Sequence, residues 1–203
     1  MIWARWVSTL FHPLWVPTLG AALFLHQHAH LPLRYGQGDL TWRLLMLVFL
    51  FTAVLPVSGI FMFKRWGWVT QWSLAERSDR KAPLLFSSFA FLLLFYLLQN
   101  AGVHGVVLHI ILGGVLSMTL SYFVNLFLKL SMHLMSWMSL AGQVAAFGFH
   151  GMQFPLFWLS VILLVAGIVA SARLALGAHT PKELWVGSLV GFVSQAVWIS
   201  LIQ

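Results

Sequence analysis

Arg173-Leu-Ala-Leu-Gly-Ala-His179-Thr-Pro-Lys-Glu183 joins two long apolar runs and carries an arginine, a histidine, a lysine and a glutamate within eleven residues. From Pro83 onward the chain holds four formally charged residues, Lys129, Arg173, Lys182 and Glu183, and three of them fall in this stretch. A charge at the centre of a bilayer costs roughly 2.5–3.5 kcal/mol, so a lipid-embedded chain discards charges it does not use. The runs on either side have the length of about 20 residues that a membrane-crossing helix needs. The stretch therefore reads as a charged connection between two membrane helices, and its charges as functional.

The rest of the composition agrees. The chain has 203 residues, is 61% hydrophobic and only 7% charged, whereas a soluble domain carries about 25% charged residues. Backbone groups in lipid must be paired internally, and the short alternating segments of a membrane barrel are absent. The expected fold is all-α, a polytopic membrane helix bundle of about six to seven transmembrane helices, forming a single membrane-embedded domain over 1–203. The net charge of +7 is too dispersed for a nucleic-acid face; it suits anionic lipid headgroups or a phosphorylated substrate. There is no cysteine, which removes disulfides, thiolate chemistry and cysteine metal sites. The opening Met-Ile-Trp-Ala-Arg and the following apolar run, which contains His12, Pro13 and Pro17 and continues to spanning length, read as a first membrane helix and not as a cleavable signal peptide.

Apolar runs between polar punctuation give spans at about 9–29, 42–63, 83–99, 104–128, 134–150, 154–172 and 182–202. Pro56 predicts a kink in the second. The fifth is short and carries Ser136, Ser139, Gly142 and Gln143, which suits a helix packed inside the bundle. Two spans separate Lys81 from Lys129, and two more separate Lys129 from Arg173. An even number of crossings returns the chain to the same face, so these charged places can meet at one membrane surface.

Three constellations gather there. Glu76-Arg77-Ser78-Asp79-Arg80-Lys81 precedes the third span; arginine's planar fork suits phosphate, while a basic flank anchoring a helix at anionic lipid explains the same residues. Glu76 and Asp79 are candidate partners for the arginines. Asn125, Lys129 and His133 are spaced i, i+4, i+8 and would stack on one face of a continuous helix; a lysine and a histidine together can bind an anion and supply a proton, or simply snorkel. In the third, Glu183 lies one helical turn from His179 and can fix its tautomer. Thr180-Pro181-Lys182-Glu183 is also a capping box, which alone would account for Glu183, and a helix N-terminus favours a bound phosphate.

Arg173, five residues, His179, three residues and Glu183, preceded by Ser171, resemble the third signature of the type 2 phosphatidic acid phosphatase superfamily, with glutamate where that family has aspartate and an alanine between serine and arginine. Ser131-Met132-His133 resembles the second signature, Pro-Ser-Gly-His, and the segment ending Arg80-Lys81-Ala82-Pro83 resembles the first. The resemblance covers about 64–203. It implies a hydrolase in which His179 attacks phosphorus to form a phosphohistidine, Glu183 orients the ring, and His133 protonates the leaving oxygen. It further implies that Arg173, Lys129, Ser131, Arg77, Arg80 and Lys81 hold the phosphate oxygens, with no cofactor and no metal required. The implied substrate is an amphiphilic phosphorylated lipid, a lipid phosphate or a polyprenyl diphosphate, in the lipid bilayer of the bacterial cytoplasmic membrane. A non-catalytic lipid-phosphate binder or transporter with the same pocket is the alternative.

Other features have plainer readings. His26-Gln-His28-Ala-His30 offers imidazoles in the pattern of a zinc or copper site, but no carboxylate lies beside them and they fall on the face opposite the charged cluster. Gly187 and Gly191 form a GxxxG suited to close helix packing within the chain. Trp3, Trp6, Trp66, Trp68, Trp72 and Trp185 near helix ends form an interfacial belt, and the segment holding Trp66, Trp68 and Trp72 is expected to lie along the interface.

Overall fold

A computed structural model describes residues 1–27, 38–103, 105–150 and 156–201. Among these residues every regular element is helical. Six helical segments, Ile2–His26, Leu40–Arg65, Ser78–Asn100, Val106–Asn125, Leu156–Ala175 and Pro181–Leu201, are long and apolar enough to cross a membrane. The chain is an integral membrane protein.

The first segment begins earlier than the predicted 9 and is broken. Helix α1 (Ile2–Leu10) stops before a 3-10 turn at Pro13–Trp15, and α2 (Val16–Gln27) resumes beyond it. Proline disfavours helical geometry in the residue before it, and His12 is accordingly extended, with φ −66° and ψ 139°. Its Nδ1 accepts the Leu14 N–H at 3.4 Å and caps the turn.

The second segment contains α3 (Gly38–Phe49) and α4 (Leu55–Arg65), joined without interruption by a π-helical turn at Leu50–Val54. Pro56 cannot donate to the carbonyl one turn back and its ring crowds that carbonyl. The predicted distortion at Pro56 is thus taken up one turn earlier, as a widened π turn. The polar hairpin that follows the first segment, including His28, His30 and Arg34, lies outside the described residues, and His26 is exposed at the end of α2.

A loop and a 3-10 turn at Ser78–Arg80 lead into α5 (Lys81–Asn100), followed by α6 (Val106–Asn125), α7 (Met132–Phe149), α8 (Leu156–Ala175) and α9 (Pro181–Leu201). Helix α7 is the central one. It buries twelve of its eighteen residues, whereas α8 buries four of twenty. A helix walled in by protein does not need lipid-soluble side chains, which explains why α7 alone among the long helices from α5 onward is not apolar enough to count as a spanning segment. It lies along the spanning helix α9, with Ser131 against Gly187 and Gly142 against Phe192, and the charged places meet at one end as the even crossing count expects, Arg80 on the Leu130 carbonyl and Lys129 on that of Ala178.

Helices α7 and α9 pack backbone to backbone. A Cβ added to Gly187 would lie 2.6 Å from the Ser131 carbonyl oxygen, one on Gly142 would lie 2.5 Å from the Phe192 oxygen, and one on Gly191 would overlap the Met135 carbonyl. The GxxxG on α9 therefore serves packing within the chain. Apolar contacts complete the core: Phe24, Trp137, Phe147, Val169 and Ile199 in one cluster, Val48, Leu94, Leu98 and Ile111 in the other. Large apolar side chains such as Phe89, Phe123 and Leu164 point outward, as lipid-facing surface requires.

Candidate active site

Helix α8 ends in a Schellman motif. Ala178 N donates to Arg173 O at 3.1 Å and Gly177 N to Leu174 O at 2.9 Å, with Gly177 at φ +60°, the left-handed position that favours glycine. This turn reverses the chain and carries His179 to the start of α9. There the capping box forms: Glu183 N donates to Thr180 Oγ1 and Thr180 N donates to Glu183 Oε2, both at 3.3 Å.

Glu183 serves two purposes with one oxygen. The same Oε2 lies 2.7 Å from His179 Nδ1. The carboxylate accepts, so Nδ1 carries the hydrogen and the Nε2 lone pair is left free. A glutamate at this position reaches both the helix N-terminus and the imidazole; an aspartate is one methylene shorter. His179 is buried. Burial pushes its pKa well below the ordinary histidine value; the Glu183 hydrogen bond opposes this, and the cations Arg80, Arg173 and Lys129 add to it. The ring is therefore neutral at pH 7 and its Nε2 is available.

Residues distant in sequence meet around it. Ser131 N donates to Glu183 O at 3.1 Å, Lys129 Nζ to Ala178 O at 3.1 Å, and Arg80 Nη1 to Leu130 O at 2.7 Å. Arg80 Nε also donates to Leu74 O at 2.7 Å, so the buried guanidinium is fixed by two carbonyls. His133 Nε2 lies 3.1 Å from Ser8 O; a carbonyl only accepts, so Nε2 carries the hydrogen and Nδ1 is the free nitrogen. Ser8 Oγ accepts from Arg173 Nη1 at 3.5 Å, while Arg173 Nε and Ser131 Oγ are buried with no hydrogen-bond partner among the described residues.

His12, Arg80, His133, Arg173 and His179 line one cavity of about 200 Å³. Its other walls are mostly apolar and include Pro17, Ile60, Leu84, Phe91 and Met118. From Arg80 to Phe91 the α5 wall runs eleven residues, roughly 16 Å of axial rise. The cavity is thus cationic and imidazole-rich at one end and apolar toward the bilayer interior. The N-termini of α7 and α9, at Met132 and Pro181, both lie at the cationic end and add the positive ends of their helix dipoles.

Some residues singled out from the sequence fall elsewhere. Arg77 and Lys81 are exposed and do not line the cavity; Arg77 contributes its carbonyl, which accepts from Asn125 Nδ2 at 3.0 Å. Asn125, Lys129 and His133 are not stacked on a continuous helix, because α6 ends at Asn125 and α7 begins at Met132; a loop instead brings Lys129 beside His179, on the Ala178 carbonyl and outside the cavity wall. Ser131 is buried at the start of α7 beside the cavity, not in its wall. Asp79 pairs with the loop and not with an arginine: its Oδ2 accepts from Thr70 N at 3.0 Å, Thr70 Oγ1 at 2.8 Å and Gln71 N at 3.0 Å. Trp66, Trp68 and Trp72 are exposed on the loop so anchored, and Trp72 also lines the cavity.

His12 and Ser8 were not among the predicted site residues. The signal was a His-Pro pair interrupting an apolar run, which marks a broken helix and exposes polar backbone where the break occurs. Among the described residues no group of three or more histidine, cysteine, aspartate or glutamate side chains is arranged to hold a metal ion. No family model, no curated protein and no solved structure matches the chain.

Proposed function

We propose that this protein is a membrane-embedded phosphatase that releases phosphate from an amphiphilic phosphorylated lipid, a lipid phosphate or a polyprenyl diphosphate, through a phosphohistidine on His179. One observation carries the reading: His179 is held through Nδ1 by Glu183 at 2.7 Å, so that its Nε2 is free in a cavity shared with Arg80, Arg173 and His133 and apolar at its far end. The resemblance of Arg173, His179 and Glu183 to the phosphatidic acid phosphatase signature supports the same chemistry.

In this mechanism the His179 Nε2 lone pair attacks phosphorus and the bond to the lipid oxygen breaks. Glu183 stabilises the imidazolium that forms. The negative charge of the bound substrate lets His133 take up a proton at its free Nδ1; the ring gives that hydrogen to the departing oxygen and then takes a proton from the water that cleaves the N–P bond. Arg80, Arg173 and Lys129 supply the fixed positive charge that phosphoryl transfer requires. The test is phosphate release by detergent-purified protein from phosphatidic acid and from a polyprenyl diphosphate, with acid-labile phosphate trapped on the protein during turnover. A protein that binds these lipids but traps no phosphate is a binder or transporter instead, the reading favoured by Arg80 already being engaged by two carbonyls.

The lowered pKa of His179 has a definite sign for activity. Attack needs the neutral ring, so the acid limb of kcat/KM lies below pH 6.5. Glu183 is the one partner that raises this pKa. Glu183→Gln is expected to move the limb further toward acid and to lower kcat roughly 10²–10⁴-fold, by loss of imidazolium stabilisation. An unchanged limb and kcat would show that Glu183 only caps α9.

The site is proposed to face the cytoplasm, in a bacterial inner membrane. Arg77 and Lys81 are exposed outside the cavity, so they, with Arg5, Lys64, Arg65 and Lys182 at the same end, are not explained by catalysis and count under the positive-inside rule. A Gln71→Cys variant should resist membrane-impermeant maleimide in intact cells and react once the membrane is opened. Labelling in intact cells would reverse the orientation.

A further inference from the structure

The break between α1 and α2 places a third histidine in the cavity, and the phosphoryl chemistry proposed above leaves it without a task. His12 lines the cavity together with His133, Arg173 and His179. Its ring meets His133 edge-on, with centroids 5.3 Å apart and planes at 73°. The main chain determines which nitrogen faces outward. His12 Nδ1 accepts the Leu14 N–H at 3.4 Å, and an amide hydrogen needs a lone pair, so in the neutral ring Nε2 carries the hydrogen. No described group takes that hydrogen.

The neighbouring groups of α1 are already engaged. Ser8 O holds His133 Nε2 and Ser8 Oγ meets Arg173 Nη1. One turn of α1 thus orients a histidine and an arginine of the site, and the next four residues deliver a third polar side chain to the same cavity. A helix running unbroken through Pro13 would have its His12 backbone in helical geometry and would lose the cap.

We infer that His12 is a substrate-binding residue, donating its Nε2–H to a phosphoryl oxygen and making the first membrane segment part of the phosphate site. The inference rests on the phosphoryl reading of this cavity. A hydrogen bond from a neutral donor to a phosphate anion is charge-assisted, and its loss weakens binding about tenfold or more.

Two substitutions separate the two nitrogens. His12→Asn retains an acceptor near the Nδ1 position and is a preferred capping residue, but has no distal donor. His12→Gln can place its amide NH₂ near the Nε2 position. Each is compared with wild type in detergent by KM and kcat on short-chain phosphatidic acid, and by the concentration of inorganic phosphate that half-maximally raises the thermal unfolding midpoint. His12→Asn is expected to unfold like wild type without phosphate, to raise KM and the half-maximal phosphate concentration about tenfold, and still to trap phosphate on His179. His12→Gln should recover most of the affinity. Wild-type affinity in His12→Asn overturns the inference, as does His12→Gln being as weak as His12→Asn. If wild type protects with phosphate but turns nothing over, the enzymatic reading fails and the phosphate arm still decides His12; if it does neither, both fall.

Discussion

His179→Ala is expected to lower phosphate release by at least about 10³-fold and to abolish the trapped acid-labile phosphate, since removing an activated nucleophile leaves only binding and electrostatics. The variant also removes the partner of Glu183 Oε2 and opens space between the arginines, so a loss of activity could reflect a loosened site. His179→Gln meets that objection. Its amide can donate to Glu183 as Nδ1–H does, its volume is similar, and it has no nucleophilic lone pair. Both variants should be inactive, while His179→Gln should still be protected against thermal unfolding by inorganic phosphate. Release at the wild-type rate by either variant sinks the phosphohistidine mechanism. Wild-type turnover that survives in both, with phosphate protection intact, would assign the chemistry to another group in the cavity.

How the site was read from the sequence depends on what a membrane does to periodicity. Crossing parity correctly brought Lys129, His133, Arg173 and His179 to one end of the bundle, because it rests only on where apolar runs begin and end. It could not say which way the side chains of the basic cluster point. From the 3-10 turn into α5, the residues Arg77, Lys81, Leu85 and Phe89 recur every four positions and are all exposed, while Arg80, Leu84 and Ser88 are buried. In a soluble helix the outward stripe would be polar and the difference would be visible. Here the outward stripe meets lipid and is as apolar as the inward one, so Arg77, Arg80 and Lys81 looked equivalent. Asp79 was misread for a related reason. Beside three cations it looked like an ion-pair partner, but it is spent on the Thr70 and Gln71 amides and the Thr70 hydroxyl.

The helix interruptions show the same division between what local sequence carries and what packing adds. Pro56 announced a distortion, and α7 announced its interior position through serines, a glycine and a glutamine where lipid-facing helices carry leucine. The His12-Pro13 pair carries the same kind of local signal, although the run was expected to form one helix. Its meaning depended on Ser8 and His12 lying beside α7, a contact between residues 125 positions apart in the case of Ser8 and His133, and no local pattern encodes that. The resemblance to the phosphatase signatures begins near residue 64, so it gave no reason to look for site residues in the first helix.

Gly191→Leu is expected to destabilise the fold more than any substitution at the cavity and to abolish activity without touching it. The α7–α9 seam is the closest helix contact in the bundle, and even a methyl at Gly191 would overlap the Met135 carbonyl. That atom belongs to the main chain and no rotamer change can move it aside. Overpacking typically costs 1–3 kcal/mol where side chains can adjust, and here the two helices must separate. Separation acts directly on the site: four residues toward the start of α9, Gly187 rests on the Ser131 carbonyl, and four further on, the Glu183 carbonyl accepts the Ser131 N–H at 3.1 Å. The seam therefore sets the distance between the helix carrying His133 and the helix whose first turn holds Glu183 against His179. Gly191→Ala should show a graded version, with a lower unfolding midpoint in detergent and reduced kcat, because the displaced backbone shifts His133 relative to His179. Gly148→Ala is the control: it lies on the same helix as Gly142, nothing stands within 4 Å of an added Cβ, and helix propensity favours alanine by about 1 kcal/mol. Equal midpoints for Gly191→Ala and Gly148→Ala would mean that α7 and α9 do not meet at this seam, and with it would go the account of how the two histidines are held at a fixed separation.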